Sequence, residues 1–148
     1  MASSFLKNRC HEMNVRSPLS RLLPLFALML VPASAFGQAT VGDRVEVDGG
    51  AYFNISVAEL QALRASDGID RLVNVHIPYQ GDIAGTDVSI NFREIADHLD
   101  LLPADKDAPV ALYCRGGPMS FRAATTLAGM GYTKVYTLAG GFNAWAAA

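Results

Sequence analysis

Apolar and polar positions along the second half of the chain predict short strands that alternate with short helices. Apolar or alternating runs predict strands at residues 44–47, 72–75, 109–113 and 134–138. Apolar residues spaced three or four apart predict helices at residues 56–64, 91–99, 120–130 and 142–147. The run at 109–113 is almost wholly apolar, as expected of a strand covered on both faces. This alternation predicts an α/β fold with a central parallel sheet and helices on both faces.

Local signals mark where several of these helices begin and end. Ser56 with Glu59 forms a capping box, which predicts a helix with Val57, Leu60 and Leu63 on one face. The pair Asn91 and Glu94 has the same spacing and predicts a second cap. Gly131 follows the predicted helix at 120–130 and suits its C-terminal end.

The N-terminal segment has the order of a secretory signal peptide. Arg16 and Arg21 precede an uncharged apolar run at residues 22–31, and the small residues Ala33, Ser34 and Ala35 follow it. We therefore expect a signal peptide over residues 1–35, with Met13 as an alternative start. Residues 36–148 would then be a single exported domain, periplasmic or secreted. The alternative is an uncleaved membrane anchor, since residues 22–42 carry no charge.

Composition excludes several classes of protein. With 148 residues, 51% of them hydrophobic and 18% charged, the chain fits one domain and not a disordered segment. The net charge of −2 includes an excess of basic residues in residues 1–35, so the remainder is more acidic. A nucleic-acid partner would need a basic face, and none is expected. The histidines and cysteines lack the spacing of a metal site, so we predict no metal and no cofactor.

Removal of residues 1–35 would leave Cys114 as the one cysteine of the mature chain. It could form no internal disulfide. An unpaired thiol in an oxidising compartment is either reactive or a buried, inert small hydrophobe. Its neighbours decide between these readings.

The residues around Cys114 predict a cradle for an anionic sulfur. Cys114 ends an apolar strand, and a glycine-containing turn at 115–119 leads to a helix near Ser120. Such a turn directs backbone N–H groups inward, and the helix N-terminus adds partial positive charge. Arg115 adds a full charge nearby, and Ser120 is expected to cap the helix, with bonding to the sulfur as an alternative. The backbone N–H groups, the helix N-terminus and the charge of Arg115 all favour the thiolate, which is the nucleophilic form of cysteine. The alternative is an ordinary strand-to-helix turn that contains a cysteine.

Several short motifs, taken in order, resemble the rhodanese-like (sulfurtransferase) family. They are LVNV at 72–75, LLP at 101–103 with Lys106, LYCRGG at 112–117 before Ser120, GYTKVY at 131–136 and LAGGFNAW at 138–145. The resemblance covers residues 52–145 and implies a single rhodanese-like domain with a core at about 52–147.

The resemblance also implies a chemistry. Family members carry a sulfane sulfur as a cysteine persulfide, which places Cys114 as the nucleophile. A small donor such as thiosulfate, or a persulfide, loads the cysteine, and an acceptor such as a thiol or cyanide takes the sulfur. A protein persulfide is an alternative partner. The implied substrate-binding residues are those of the loop and the next helix: Arg115, Gly116, Gly117, Pro118, Met119, Ser120 and Arg122.

Differences from the family pattern affect which sulfur donor is expected. A common form of the loop has an arginine five residues after the cysteine, where this chain has Met119. Pro118 removes one N–H donor. Positive charge for an anionic substrate would then come from Arg115 or Arg122. These departures favour a neutral or smaller donor, or a protein persulfide, over thiosulfate.

Two other functions stay open on the sequence alone. The missing arginine would suit a non-catalytic module that binds a partner or carries a persulfide for another protein. A cysteine phosphatase is disfavoured, because it would need an arginine six residues after the cysteine, where this chain has Ser120.

Four residues outside the loop have a structural and a functional reading. His76 stands where the family's core strand usually has arginine, and it could tune the thiolate or bind substrate. A packed or solvated histidine is the favoured reading. Asp82 and Asp87 are expected to be solvated loop charges. Trp145 is expected to anchor the last helix in the core.

Overall fold

A computed structural model describes residues 41–148, which form six strands and three α-helices. In chain order they are β1 Asp43–Val47, β2 Gly50–Ile55, α1 Val57–Ala65, β3 Arg71–Asn74, β4 Val88–Ser89, β5 Val110–Tyr113, α2 Pro118–Gly129, β6 Val135–Leu138 and α3 Gly141–Ala147. The predicted signal peptide, the alternative start at Met13 and the anchor alternative lie outside these residues and stay predictions. Among the described helices, none is long and apolar enough to cross a membrane.

The strands form one sheet in the order β1-β2-β6-β5-β3-β4. All neighbours are parallel except β1 and β2, which are antiparallel. The predicted α/β fold with a central parallel sheet is confirmed. Strand β2 is not among the predicted strands. It pairs with β1 through a two-residue turn of Asp48 and Gly49, with Val47 opposite Gly50. This hairpin places a further parallel strand beside β6.

Helices cover both faces of the sheet, as predicted. Along β5, Val110 and Leu112 belong to the same cluster as Leu127 of α2. Ala111 and Tyr113 point to the other face, where the fully buried Leu60 of α1 and the half-buried Phe142 and Trp145 of α3 pack. Strand β5 is therefore buried on both sides, which fixes the position of the residue that follows it.

The capping box at the start of α1 is confirmed. The Glu59 N–H donates to Ser56 Oγ at 3.3 Å, and Glu59 Oε2 accepts from the Ser56 N–H at 2.8 Å. Between them these bonds satisfy two N–H groups that a helix start leaves unpaired.

The predicted helix at 91–99 is wrong. The chain instead makes two 3₁₀ turns, Ile95–Asp97 and Leu99–Leu101. Asn91 does bond locally, accepting from the Arg93 N–H and donating to Glu94. His98, with φ −121° and ψ 39°, then leaves the helical region, so an α-helical ladder does not form.

The predicted start of the helix at Ser120 is also wrong by two residues. Helix α2 begins at Pro118, with Gly117 as its N-cap. Proline suits the first helical position, because its fixed φ is helical and the missing N–H has no intrahelical partner there. Ser120 therefore lies inside the first turn, where it is fully buried and its Oγ donates to the Gly117 carbonyl at 2.7 Å.

Candidate active site

Cys114 lies directly after β5, at the carboxyl edge of the parallel sheet, with 2% of its surface exposed. The Gly117 N–H donates to its Sγ at 3.0 Å. Burial raises the pKa of the thiol, but the backbone N–H groups of Ser120, Gly117, Gly116 and Met119 lower it, and the net pKa is below the usual 9.0. The predicted cradle of backbone donors is therefore present, and Pro118 is the one loop position that cannot contribute an N–H.

The thiol of Cys114 is expected to ionise below the usual pKa of 9.0. The measurement is the thiolate ultraviolet absorbance of wild type minus that of Cys114→Ser across a pH titration. A midpoint at or above 9.0 would show that burial outweighs the four backbone donors.

Helix α3 holds the cysteine loop from its other side. The Phe142 N–H donates to the Cys114 carbonyl at 2.8 Å, and the Asn143 N–H donates to the Arg115 carbonyl at 3.0 Å. Gly141, with φ +56°, allows this close approach, because a Cβ there would lie 2.2 Å from the Cys114 oxygen. The first amides of α3 thus orient the loop backbone that carries the cysteine.

A small cleft lies beside Cys114. Its walls come from β3 and the loop after it, from the end of β5, and from α3: Asn74, His76, Gln80, Gly81, Tyr113, Cys114, Arg115 and Phe142. Among the residues that the structure describes, Arg115 is the one charged residue of this lining, and the Arg115 guanidinium donates to the side-chain oxygen of Gln80. Within residues 41–148, no cluster of three or more His, Cys, Asp or Glu residues is arranged to hold a metal ion.

The other predicted binding residues do not all reach this cleft. Met119 is half-buried and packs against the core, and Pro118 is exposed at the start of α2. Arg122 is exposed on α2, with its guanidinium carbon 5.0 Å from the centre of the Phe92 ring. Arg93 lies 5.3 Å from the same ring. Arg115, and not Arg122, therefore supplies the positive charge of the cleft.

His76 lines the cleft but is neither solvated nor hydrogen-bonded through its ring. Both ring nitrogens are shielded from solvent and have no partner within the described residues. Its backbone N–H donates to Asn74 Oδ1 at 2.9 Å, which fixes where the side chain begins. The sequence favoured a packed or solvated histidine, and the packing is present without the hydrogen bonds that usually accompany it.

Asp82 is exposed, as expected of a loop charge, but it is also held by hydrogen bonds within the fold. Its carboxylate accepts hydrogen bonds from Asn74 Nδ2 at 2.8 Å, from the Tyr79 hydroxyl at 2.7 Å and from the Tyr113 hydroxyl at 3.1 Å. Ser89 Oγ donates to it at 3.3 Å. Desolvation raises the pKa of Asp82, but these bonds lower it, and the net direction is down. Asp82 therefore ties the loop that forms one wall of the cleft to β3 and β5.

Asp87 likewise has a structural partner. Its Oδ2 accepts from the Leu72 N–H of β3 at 2.7 Å. The sequence gives no signal for either aspartate, because the donors lie in separate segments that only the fold brings together.

The bonds to Asp82 should appear in the pH dependence of stability. Because the folded pKa is depressed, the contribution is present above the unfolded pKa, near 3.8, and is lost as pH falls through the lower folded pKa. We expect Asp82→Asn to lower the free energy of unfolding at neutral pH, and the difference from wild type to shrink below about pH 4. Thermal unfolding across this range measures it.

The matched control for Asp82 is Asp97→Asn, at an exposed aspartate of the first 3₁₀ turn. A difference between wild type and Asp82→Asn that stays constant down to low pH would contradict the depressed pKa.

The fold agrees with comparisons to known proteins. The family model described as "Rhodanese-like domain" matches residues 62–148. The chain belongs to the rhodanese-like family. It is 33% identical over 96 residues to thiosulfate sulfurtransferase GlpE of Ectopseudomonas mendocina, a match that covers 65% of this chain and 86% of the relative.

Solved structures show the same likeness. The human single-domain sulfurtransferase TSTD1 is 25% identical with a TM-score of 0.56, and the match covers 64% of this chain and 95% of that one. A Rhodopseudomonas palustris protein of unknown function, described as a possible tyrosine phosphatase, is 28% identical with a TM-score of 0.52. That match covers 62% of this chain and 77% of the other. The relatives support sulfurtransferase chemistry at the level of the family.

Proposed function

We propose that this protein is a rhodanese-type sulfurtransferase that moves a sulfane sulfur through a persulfide on Cys114. The observation that carries the proposal is the cradle around Sγ, where four backbone N–H groups lower the thiol pKa in spite of burial. A persulfide places a negative charge one bond further out, and inward-facing N–H groups stabilise such charge without a metal.

The proposed reaction has two steps that share the same groups. In loading, the Cys114 thiolate attacks the sulfane sulfur of the donor, a new S–S bond forms, and the donor's remaining part leaves with the electron pair of the broken bond. In transfer, the acceptor sulfur attacks the outer sulfur of the persulfide, and the electron pair returns to Sγ as thiolate. The cradle holds the negative charge at both stages, so no cofactor is needed.

The charges of the cleft favour a donor that carries less charge than thiosulfate. Arg115 is the one charged residue that the structure describes in the lining, and its guanidinium already bonds Gln80. Arg122 lies against Phe92 on the exposed face of α2. We therefore propose a persulfide, on a small molecule or on a protein, as the preferred donor, because it carries one negative charge where thiosulfate carries two, with a thiol as acceptor.

The test is the intact mass of the protein after incubation with thiosulfate and, separately, with a small alkyl persulfide. We expect a gain of one sulfur on wild type and none on Cys114→Ser, with faster loading from the persulfide. Loading only from thiosulfate would overturn the donor preference. No gain from either donor would favour the non-catalytic binding module, and Cys114-dependent hydrolysis of an aryl phosphate would favour a phosphatase.

A further inference from the structure

His76 is the unexplained polar group of the cleft. An imidazole has two ring nitrogens that form hydrogen bonds, and buried polar groups in proteins are nearly always paired. Here both nitrogens are shielded from solvent and unpaired within the described residues, although the residue as a whole is partly exposed. Leaving buried polar atoms without hydrogen bonds costs free energy of folding. At the wall of a cleft beside a reactive cysteine, this cost indicates a group kept free for a ligand.

The position of His76 suits contact with a molecule that approaches the sulfur. His76 and Cys114 line the same cleft, and they follow β3 and β5, which are neighbours in the sheet. The bond from the His76 N–H to Asn74 Oδ1 fixes the backbone, and Asn74 is itself bonded to Asp82. The imidazole is thus attached to an ordered segment.

Two side chains in the lining of the cleft bond each other. Gln80 and Arg115 come from different loops, are both exposed, and bond each other through their side chains. Exposed side chains change rotamer rapidly, so separation of this pair would widen the path into the cleft.

We propose that His76 is the catalytic base of the transfer step and takes the proton of a neutral thiol acceptor. This inference rests on the proposed function of Cys114. A neutral acceptor R–SH gives its proton to a free ring nitrogen of His76, and its sulfur attacks the outer sulfur of the persulfide. The S–S bond of the persulfide breaks, the electron pair stays on Cys114 Sγ, and R–S–S⁻ leaves. The proton then passes from His76 to the product or to water, so no oxidant or reductant is consumed.

If His76 is the base, transfer to a protonated thiol should depend on it, and transfer to a thiol that is already ionised should not. An alkyl thiol is mostly protonated at neutral pH and needs a base, whereas an acidic aryl thiol is already a thiolate and does not. A histidine that only supports the fold would affect both acceptors equally.

The experiment loads Cys114 with sulfur, removes excess donor, and measures a single transfer to an alkyl and to an aryl thiol at neutral pH. We expect His76→Gln to slow transfer to the alkyl thiol by about 10²-fold and to change the aryl reaction by less than about threefold. His76→Asn is a second variant with a smaller amide. His98→Gln, at the exposed histidine that follows the first 3₁₀ turn, is the control and should leave both rates unchanged.

The outcomes distinguish a failure of the role of His76 from a failure of the proposed function of Cys114. Equal losses with both thiols, or no loss with either, would overturn the role of His76 while Cys114 still carries sulfur. Wild-type protein that takes up no sulfur would instead overturn the proposed function, and the inference would fall with it. The loading step and the thermal unfolding of each variant show that the fold is retained.

Discussion

Cys114→Ser is expected to abolish sulfur transfer, with a fall in rate on the order of 10³ or more. A serine hydroxyl is not ionised near neutral pH and cannot form a persulfide. The fold should be retained, because serine has the same shape and its oxygen can accept the Gly117 N–H that now reaches Sγ at 3.0 Å. The measurement is steady-state transfer from a small alkyl persulfide to a thiol, together with the thermal unfolding midpoint.

The control for Cys114→Ser is Thr126→Ser, on the exposed face of α2, where the hydroxyl bonds the Arg122 carbonyl at 3.1 Å. It removes one methyl group from the helix that follows the cysteine loop and should leave the rate unchanged. A Cys114→Ser protein that transferred sulfur at the wild-type rate would remove Cys114 from the mechanism.

Gly141→Ala is expected to have the second-largest effect, on both stability and activity. The added Cβ would lie 2.2 Å from the Cys114 carbonyl oxygen and 2.9 Å from the Arg115 carbonyl, and the φ of +56° disfavours any side chain. Because these neighbours are backbone atoms, the cysteine loop or α3 must shift. We expect the free energy of unfolding to fall by about 3 kcal/mol and Tm by about 10 °C.

The activity of Gly141→Ala should fall by about 10²-fold, because a shift near 1 Å in the loop moves Sγ from its donors. Gly129→Ala is the matched control, since its Cβ would meet only the Asp48 oxygen at an ordinary 3.5 Å at the end of α2. An active and stable Gly141→Ala protein would show that α3 does not set the geometry of the loop.

The position of Cys114 could be predicted from the sequence because the signals are local. The apolar run of β5 predicts a strand buried on both faces, and the glycines after it predict a turn into a helix. Strand β2 was missed because its burial does not alternate cleanly. The Asp48-Gly49 pair that forms its hairpin suits the end of a strand as well as a two-residue turn, so the pair alone does not predict a second strand.

The wall of the cleft could not be predicted, because it depends on contacts between distant segments. Tyr113 and Asp82 are 31 residues apart, and Gln80 and Arg115 are 35 apart. In the sequence, Asp82 is one acidic residue in a glycine-containing loop, and His76 is one histidine after a strand. Only the fold shows that the first accepts four side-chain bonds and that the second has none through its ring.

The source of the thiol's acidity has a consequence for the conditions under which the protein works. The groups that lower the Cys114 pKa are backbone amides, which are fixed dipoles at the buried sulfur and not mobile charged side chains. Dissolved salt screens exposed charges over a Debye length of about 10 Å at 0.1 M, but it screens buried dipoles far less. The nucleophile should therefore keep its reactivity across a wide range of ionic strength, whatever surface charges the chain gains or loses.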